Sequence, residues 1–117
     1  MTLGIDYHNV ITQFPTEFLL LANAVKAEGG QVYIISAITE KGLVEHGGME
    51  AYKAKIAHTN VPHDEICVVV GPSEMFPRLK FVECRKYGVD IFIDDREDIV
   101  KFLHAKGIVA LKVPKPL

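Results

Sequence analysis

The first fifteen residues, MTLGIDYHNVITQFP (residues 1–15), contain the pattern that decides the fold. An apolar run from Leu3 to Ile5 ends at an acidic residue, Asp6, and His8 follows two positions later. A carboxylate directly after a buried strand is either an ordinary turn residue or a functional group at the tip of that strand. The rest of the sequence favours the functional interpretation.

Length and composition indicate one ordinary globular domain, residues 1–117. The chain is 49% hydrophobic and 24% charged, so extensive disorder is not expected. Its formal net charge of −2 argues against binding nucleic acid or anionic membranes through bulk charge. No apolar stretch approaches the roughly 18 residues of a membrane span, and the N-terminus lacks the pattern of a secretory leader. We therefore expect a cytoplasmic protein with no membrane partner.

Five apolar runs of strand length alternate with segments of helical period. The runs are rich in Val and Ile and show little polar alternation, which is typical of strands that are covered on both faces. This order predicts right-handed βαβ units, and hence a parallel sheet between two layers of helices. The predicted strands are Thr2–Ile5, Gln31–Ile35, Ile66–Val70, Asp90–Ile93 and Ile108–Lys112.

Four helical segments lie between the predicted strands, and three of them stop at glycine, a common C-terminal signal. The second segment is interrupted by Gly47-Gly48. Together with the strands, these helices predict an α/β fold, a three-layer α/β/α Rossmann-like sandwich of about five parallel strands. The predicted helices run from about Pro15 to Gly29, Lys41 to Ala57, Pro77 to Tyr87 and Glu97 to Ala105.

Polar residues stand at the carboxyl ends of the predicted strands, where ligands bind in sheets of this kind. They are Asp6, Ser36 and the pair Asp94-Asp95. Crowded carboxylates repel one another, and a hard divalent cation such as Mg²⁺ relieves the repulsion through oxygen ligands. The same cation can clamp a phosphate oxygen, and an aspartate can attack phosphorus. Lys80, in the first turns of the third helix, is better placed to neutralise charge there than Lys86 in its last turn.

These motifs resemble, in order, the four motifs of the haloacid dehalogenase (HAD) superfamily. The chain looks most similar to the 5′(3′)-deoxyribonucleotidase-like branch, and the resemblance covers essentially its whole length. It implies the strand order 5-4-1-2-3. The intervals between the motifs leave no room for a cap domain. The residues that carry the resemblance are LGIDYHNVIT (3–12), VYIISA (32–37), Lys80 and IFIDDRED (91–98).

The resemblance implies a metal-dependent phosphatase. Asp6 would be the nucleophile and a Mg²⁺ ligand. Asp94 and Asp95 would complete the metal site, and the backbone carbonyl of His8 would be a further ligand. The implied substrate is a phosphomonoester, either a nucleotide or a phosphorylated macromolecule. Because a capless site is open, a second subunit could also cover it.

The resemblance implies that three residues contact the phosphoryl group of the substrate. Ser36 would donate a hydrogen bond to it, Ala37 would line its site, and Lys80 would stabilise both Asp6 and the phosphoryl oxygens. By the residues alone, Ser36 could equally be a turn or N-cap serine and Lys80 a solvated surface residue.

His8 departs from the phosphatase pattern, which has a second aspartate at this position as general acid and base. A histidine can do general acid–base work near neutral pH, so His8 could supply the proton. Alternatively it marks a weakened member that binds Mg²⁺ and phosphate, or a partner, without efficient turnover. Dehalogenation is a weaker hypothesis, because it needs a halide pocket that is usually supplied by a cap.

Several other residues have an ordinary structural interpretation. Tyr52 and Phe76 could line an open groove, although core packing or a subunit contact is favoured. Arg96, Glu97 and Asp98 follow the predicted metal site, but Glu97 and Asp98 also suit the first turn of a helix electrostatically, and this structural role is favoured. Four histidines lack ligand spacing and are expected at the surface, and the two cysteines are expected as free thiols. These residues are His46, His58, His63, His104, Cys67 and Cys84.

Overall fold

The computed structural model describes residues 1–115 and contains a five-stranded sheet in which every pairing is parallel. The strand order is β3-β2-β1-β4-β5. Read from the other edge, this is the order 5-4-1-2-3. The strands are β1 Thr2–Ile5, β2 Gln31–Ile38, β3 Glu65–Val70, β4 Ile91–Asp94 and β5 Val109–Lys112.

The helices begin and end at the signals seen in the sequence. Proline occupies the first turn of the first and fourth helices, where its missing N–H costs no hydrogen bond. Gly88 ends the fourth helix in the left-handed conformation. Gly47 and Gly48, both with positive φ, split the predicted second helix into two. The helices are α1 Pro15–Ala27, α2 Glu40–Glu45, α3 Met49–Ala57, α4 Phe76–Tyr87 and α5 Glu97–Ala105.

Alternate residues of the central strands face two separate hydrophobic cores, so the predicted three-layer sandwich is confirmed. In β2, Val32 and Ile34 lie in the core beneath α1 and α3. Tyr33 and Ile35 lie in the core beneath α4 and α5. Because both faces are covered, these strands read as continuous apolar runs.

The middle of the sheet is packed closely around Gly4. A Cβ atom at Gly4 would lie 2.5 Å from Cδ1 of Phe92, which is fully buried on the neighbouring strand. Glycine therefore lets the Phe92 ring lie over β1. The same ring lies under the ammonium of Lys80, with Nζ 5.4 Å from its centroid. This packing places the second turn of α4, which carries Lys80, above the sheet.

Two predicted strand ends are too early: β4 extends one residue further, to Asp94, and β2 extends three. The sequence predicts β2 over Gln31–Ile35 with Ser36 at its tip, but the strand continues to Ile38, because β3 pairs with it as far as Val70. Ser36 is therefore an interior residue of the strand, opposite Val68. Among residues 1–115, no helix is both long and apolar enough to cross a bilayer.

Candidate functional site

Three carboxylates converge where β1 and β4 end side by side. The backbone N–H of Asp6 donates to the carbonyl of Ile93 at 3.0 Å, which brings Asp6 next to the tip of β4. One oxygen from each of Asp6, Asp94 and Asp95 lies within 4.8 Å of the others. All three residues are at most 7% exposed. The sequence prediction that these acids share one edge is therefore confirmed.

Lys80 reaches the same cluster from the second turn of α4. Its Nζ donates to Oδ2 of Asp94 at 2.6 Å and lies 2.9 Å from Oδ1 of Asp6. The residue is only 2% exposed, so both ion pairs are shielded from water. Lys86 lies instead in the last turn of α4, over the ring of Tyr87. Of these two lysines, Lys80 is the one that lies at the carboxylate cluster, as the sequence analysis expected.

The site holds more negative charge than its lysine balances. Burial raises the pKa of Asp6 to about 7, and the nearby Asp94 and Asp95 add to the rise against the opposing effect of Lys80. Burial alone would lower the pKa of Lys80, but Asp6 and Asp94 outweigh it and raise that pKa to about 12. Lys80 therefore stays a cation at neutral pH.

A divalent cation fits this arrangement by charge and by donor type. If all three carboxylates are ionised, they and the single ammonium carry two net negative charges, which a divalent cation would balance. Carboxylate oxygens are the ligands that Mg²⁺ prefers, and it commonly takes only one or two of them from protein. Asp6, Asp94 and Asp95 are the residues that could hold it.

The two oxygens of Asp6 differ in their surroundings. Oδ1 accepts the backbone N–H of Tyr7 at 2.9 Å and faces Lys80. Within the described part of the chain, no hydrogen bond is made to Oδ2. One oxygen therefore orients the carboxylate, and the other is available to a metal ion or to phosphorus.

Asn9 is a site residue that the sequence analysis missed. Its Nδ2 donates to Oδ2 of Asp95 at 3.3 Å, and its own N–H donates to Oγ1 of Thr12 at 2.8 Å. Asn9 has a φ of 61°, a left-handed conformation in which asparagine is enriched among residues other than glycine. An asparagine just after a strand-tip acid was the available signal.

His8 lies at the rim and not in the carboxylate cluster. Its side chain is exposed, and the group of convergent ligand atoms contains no atom of it. The residue lines the cavity above the carboxylates as well as a neighbouring one. Both the proton-transfer role of its side chain and the role of its backbone carbonyl as a metal ligand stay predictions.

Ser36 is engaged away from the cluster. Its Oγ lies 2.7 Å from Oη of Tyr52 in a buried hydrogen bond, and the residue is 1% exposed. Ser36 lines neither the cavity above the carboxylates nor the neighbouring one, whereas Ala37 lines both. Binding of a phosphoryl oxygen by Ser36 stays a prediction, and it would require the hydroxyl to exchange its bond with Tyr52.

The cavity above the carboxylates has a volume of about 240 Å³ and we call it the acidic cavity. Arg96 forms part of its wall, which the sequence did not indicate. The guanidinium lies 5.3 Å from the ring centroid of Phe76 and bonds to Ser73 and Asp98. The acidic cavity is lined by Asp6, His8, Asn9, Ala37, Phe76, Lys80, Asp94, Asp95, Arg96 and Ile99.

Solved structures share the architecture of this chain at low sequence identity. A chain in the structure of the Pnkp1/Rnl/Hen1 RNA repair complex matches with a TM-score of 0.69 at 12% identity, over 97% of this chain and 42% of that one. A universal stress protein in complex with cAMP matches with a TM-score of 0.60 at 10% identity, over 99% of this chain and 98% of that one. This chain thus spans less than half of the first neighbour. These likenesses show the fold alone.

No family model matches the chain. No curated protein sequence matches it significantly.

Proposed function

We propose that this chain is a Mg²⁺-dependent phosphatase of the HAD type, which hydrolyses a phosphomonoester through an aspartate nucleophile, Asp6. The observation that carries the proposal is the convergence of Asp6, Asp94 and Asp95 around the buried ammonium of Lys80. A structural ion pair needs one acid for one lysine. Two further buried carboxylates at a strand edge are costly unless a cation or ligand uses them.

The first step is attack on phosphorus by the free oxygen of Asp6. As the new Asp6–phosphorus bond forms, the bond between phosphorus and the ester oxygen breaks. Lys80 orients Asp6 through their ion pair, and its ammonium would stabilise the negative charge that accumulates on the phosphoryl oxygens. His8 gives its proton to the departing ester oxygen at the rim.

The second step returns the enzyme to its starting state. Water attacks the phosphorus of the aspartyl-phosphate and loses a proton to His8, which releases inorganic phosphate and regenerates the Asp6 carboxylate. When bound by the three aspartates, Mg²⁺ supplies charge neutralisation for the phosphoryl oxygens.

A second function, binding without turnover, is favoured by one specific observation. The side chain at position 8 is exposed and outside the cluster, whereas efficient proton transfer needs a group within hydrogen-bond reach of the reacting oxygen. In this alternative the chain holds Mg²⁺ and a phosphorylated ligand or partner but leaves the aspartyl-phosphate slow to form or hydrolyse.

Phosphatase assays on p-nitrophenyl phosphate and a nucleotide panel, with Mg²⁺, separate the two functions. In the phosphatase, Asp6→Asn abolishes turnover, a loss on the order of 10³-fold or more, because the nucleophile is gone. His8→Ala lowers kcat by about 10²-fold as the proton donor is lost. The exposed His58→Ala, with its side chain outside the described cavities, serves as the control and retains activity.

Two outcomes would count against the phosphatase. A wild-type protein without turnover, together with activity in His8→Asp, establishes the binding alternative. Activity that persists in Asp6→Asn or after chelation of Mg²⁺ by EDTA contradicts the assigned nucleophile or metal.

We also propose a cellular location and a kind of partner for the protein. A cytoplasmic location agrees with Cys67 and Cys84 being free thiols, as expected in a reducing compartment.

The open site suits a phosphorylated macromolecule or coverage by a second copy of the chain. Sedimentation equilibrium, at concentrations spanning the assay range, tests the second copy directly.

A further inference from the structure

Strand β5 forms one edge of the sheet, and part of its main chain is unpaired. Its pairing strand is β4, and the N–H of Val113, just beyond β5, donates to the carbonyl of Asp94 at 3.0 Å. Main-chain groups alternate between the two sides of a strand, so those of Ala110 and Lys112 point away from β4. No other element of residues 1–115 pairs with this outer side. Such an edge can accept a further strand.

The same strand exposes apolar side chains on one face of the sheet. Val109 is 49% exposed and Leu111 is 50% exposed. Ala110 points to the opposite face and is buried in the core beneath α4 and α5. The edge therefore combines free main-chain groups with two apolar side chains that remain half exposed in the single chain.

The sequence of β5 matches itself when two copies are related by a two-fold axis. In an antiparallel pairing centred on Ala110, the two Ala110 residues lie opposite each other and exchange main-chain hydrogen bonds. The outward groups of Lys112 then meet those of Ile108 in the second copy. Val109 lies opposite Leu111 of the second copy, and the reverse pair forms on the other side of the axis. Both apolar pairs fall on the face where these side chains are exposed.

Other registers of the same pairing are less favourable. A two-fold axis at Lys112 would place two ammonium groups directly opposite each other. An axis at Leu111 would bring Pro114, which has no N–H, opposite Ile108. A shift by a single residue in one copy would pair side chains that point to opposite faces. The axis at Ala110 is therefore the register that satisfies both the main chain and the apolar side chains.

We propose that the chain forms a two-fold symmetric dimer in which the β5 strands of two copies pair antiparallel, centred on Ala110, to make one continuous sheet. Because the paired strands run in opposite directions, the two acidic cavities lie at opposite ends of that sheet and both stay open. This dimer thus differs from a second copy that covers the site, and the inference does not depend on the proposed phosphatase activity.

Sedimentation equilibrium tests whether the dimer forms. A strand of this length gives an interface below the usual 1,200–2,000 Å² or so, and we expect weak association at protein concentrations from about 1 µM to 1 mM. A wild-type protein that is monomeric throughout this range would overturn the proposal.

A charge at the edge should weaken the dimer. In Val109→Lys the dimer Kd should rise about 5- to 30-fold, because each dimer loses both apolar pairs. Val82→Lys, which changes a 57% exposed valine of α4, is the matched control and should dimerise like wild type. Circular dichroism checks that both variants fold. Equal Kd values for the two variants would place the interface elsewhere and overturn the proposal.

Cysteine cross-linking tests the register. Residues opposite each other in a non-hydrogen-bonded antiparallel pair have Cα atoms about 4.5 Å apart, within the range of disulfides. The double variant Val109→Cys/Leu111→Cys should therefore form a disulfide-linked dimer on mild oxidation. Either single variant should stay uncrosslinked, since its two new thiols lie on a diagonal with Cα atoms about 7–8 Å apart.

Wild type is the control for the native thiols, which are buried. A covalent dimer in Leu111→Cys alone, or none in the double variant, would overturn the pairing centred on Ala110.

Discussion

The buried ammonium of Lys80 stabilises the fold and belongs to the proposed active site. Its ammonium is buried, yet its raised pKa keeps it charged, because Asp6 and Asp94 lie within 2.9 Å. Such a group is costly to bury and is stable only with both partners in place. The same contacts that stabilise the charge also orient the carboxylate of Asp6, the proposed nucleophile.

Replacing this lysine should destabilise the fold. Lys80→Met keeps the length of the side chain but leaves two buried carboxylates uncompensated, and we expect a loss of about 3 kcal/mol in the free energy of unfolding without Mg²⁺. Urea denaturation at neutral pH measures it. Lys86→Met, an exposed position on the same helix, should change stability by at most about 0.5 kcal/mol. Equal stability of the two variants would contradict the assigned charge balance.

Asp64 gives a prediction about pH. Its hydrogen bond with Lys26, at 2.7 Å, and the N–H of Val32, at 2.8 Å, hold the pKa of its carboxyl below the ordinary value. A carboxyl with a lowered pKa in the folded state stabilises the protein above its unfolded-state pKa and loses this effect as the pH falls. The stability difference between wild type and Asp64→Asn should therefore shrink as the pH drops below about 4.

Urea denaturation of both proteins across that pH range checks the prediction. In a Lys26→Met background the pH dependence of the difference should be weaker, since the principal cause of the lowered pKa is removed. A difference that grows with acidity would show that the sign is wrong.

Gly4 of strand β1 pairs with Phe92 of the neighbouring strand β4, beneath Lys80 of helix α4. The absence of a side chain at Gly4 makes room for the ring. The ring in turn lies beneath the Lys80 ammonium. The close packing of these two apolar positions therefore lies directly beneath the charged site.

Adding one methyl group at this crossing should be costly. Gly4→Ala places a Cβ 2.5 Å from Cδ1 of Phe92, so we expect about 1–3 kcal/mol of destabilisation from overpacking. Combining it with Phe92→Leu, which removes part of the ring, should cost less than the sum of the two single changes. Chemical denaturation of all four proteins gives this coupling. Strict additivity would mean that the two side chains do not collide.

The whole sheet acts as the support of the site. Asp6, Asp94 and Asp95 come from two neighbouring strands, and Lys80 comes from a helix on one face. A ligand that joins these elements should stabilise the entire folded chain, because the unfolded chain does not hold its donors together.

Mg²⁺ should therefore raise the melting temperature. At a concentration about 100-fold above its Kd, a cation specific for the folded state adds about 2.7 kcal/mol. For a domain of this size that is a rise on the order of 10 °C by differential scanning calorimetry. Asp95→Asn should reduce the response, whereas Glu97→Gln, an exposed acid paired with Lys101, should keep it. A response to K⁺ at equal ionic strength as large as that to Mg²⁺ would contradict a specific site.

Local signals in the sequence determined the class of fold and much of the site. Apolar runs, glycine stops and the Gly47-Gly48 break depend on neighbouring residues, so they predict elements within a few positions. Parallel strands bring their carboxyl ends to one edge, so the sequence alone predicts that Asp6, Asp94 and Asp95 lie together.

Long-range contacts decided what the sequence could not. The continuation of β2 past Ser36 depends on pairing with β3, and the bond from Ser36 to Tyr52 joins a strand to a helix sixteen positions later. Asn9, Arg96 and His46 acquire their places only when distant turns and helices pack beside the strand tips. By itself the sequence determined the sheet and its acids. The tertiary structure alone decided the cavities around them, because a cavity is the space left between elements that are remote in the chain.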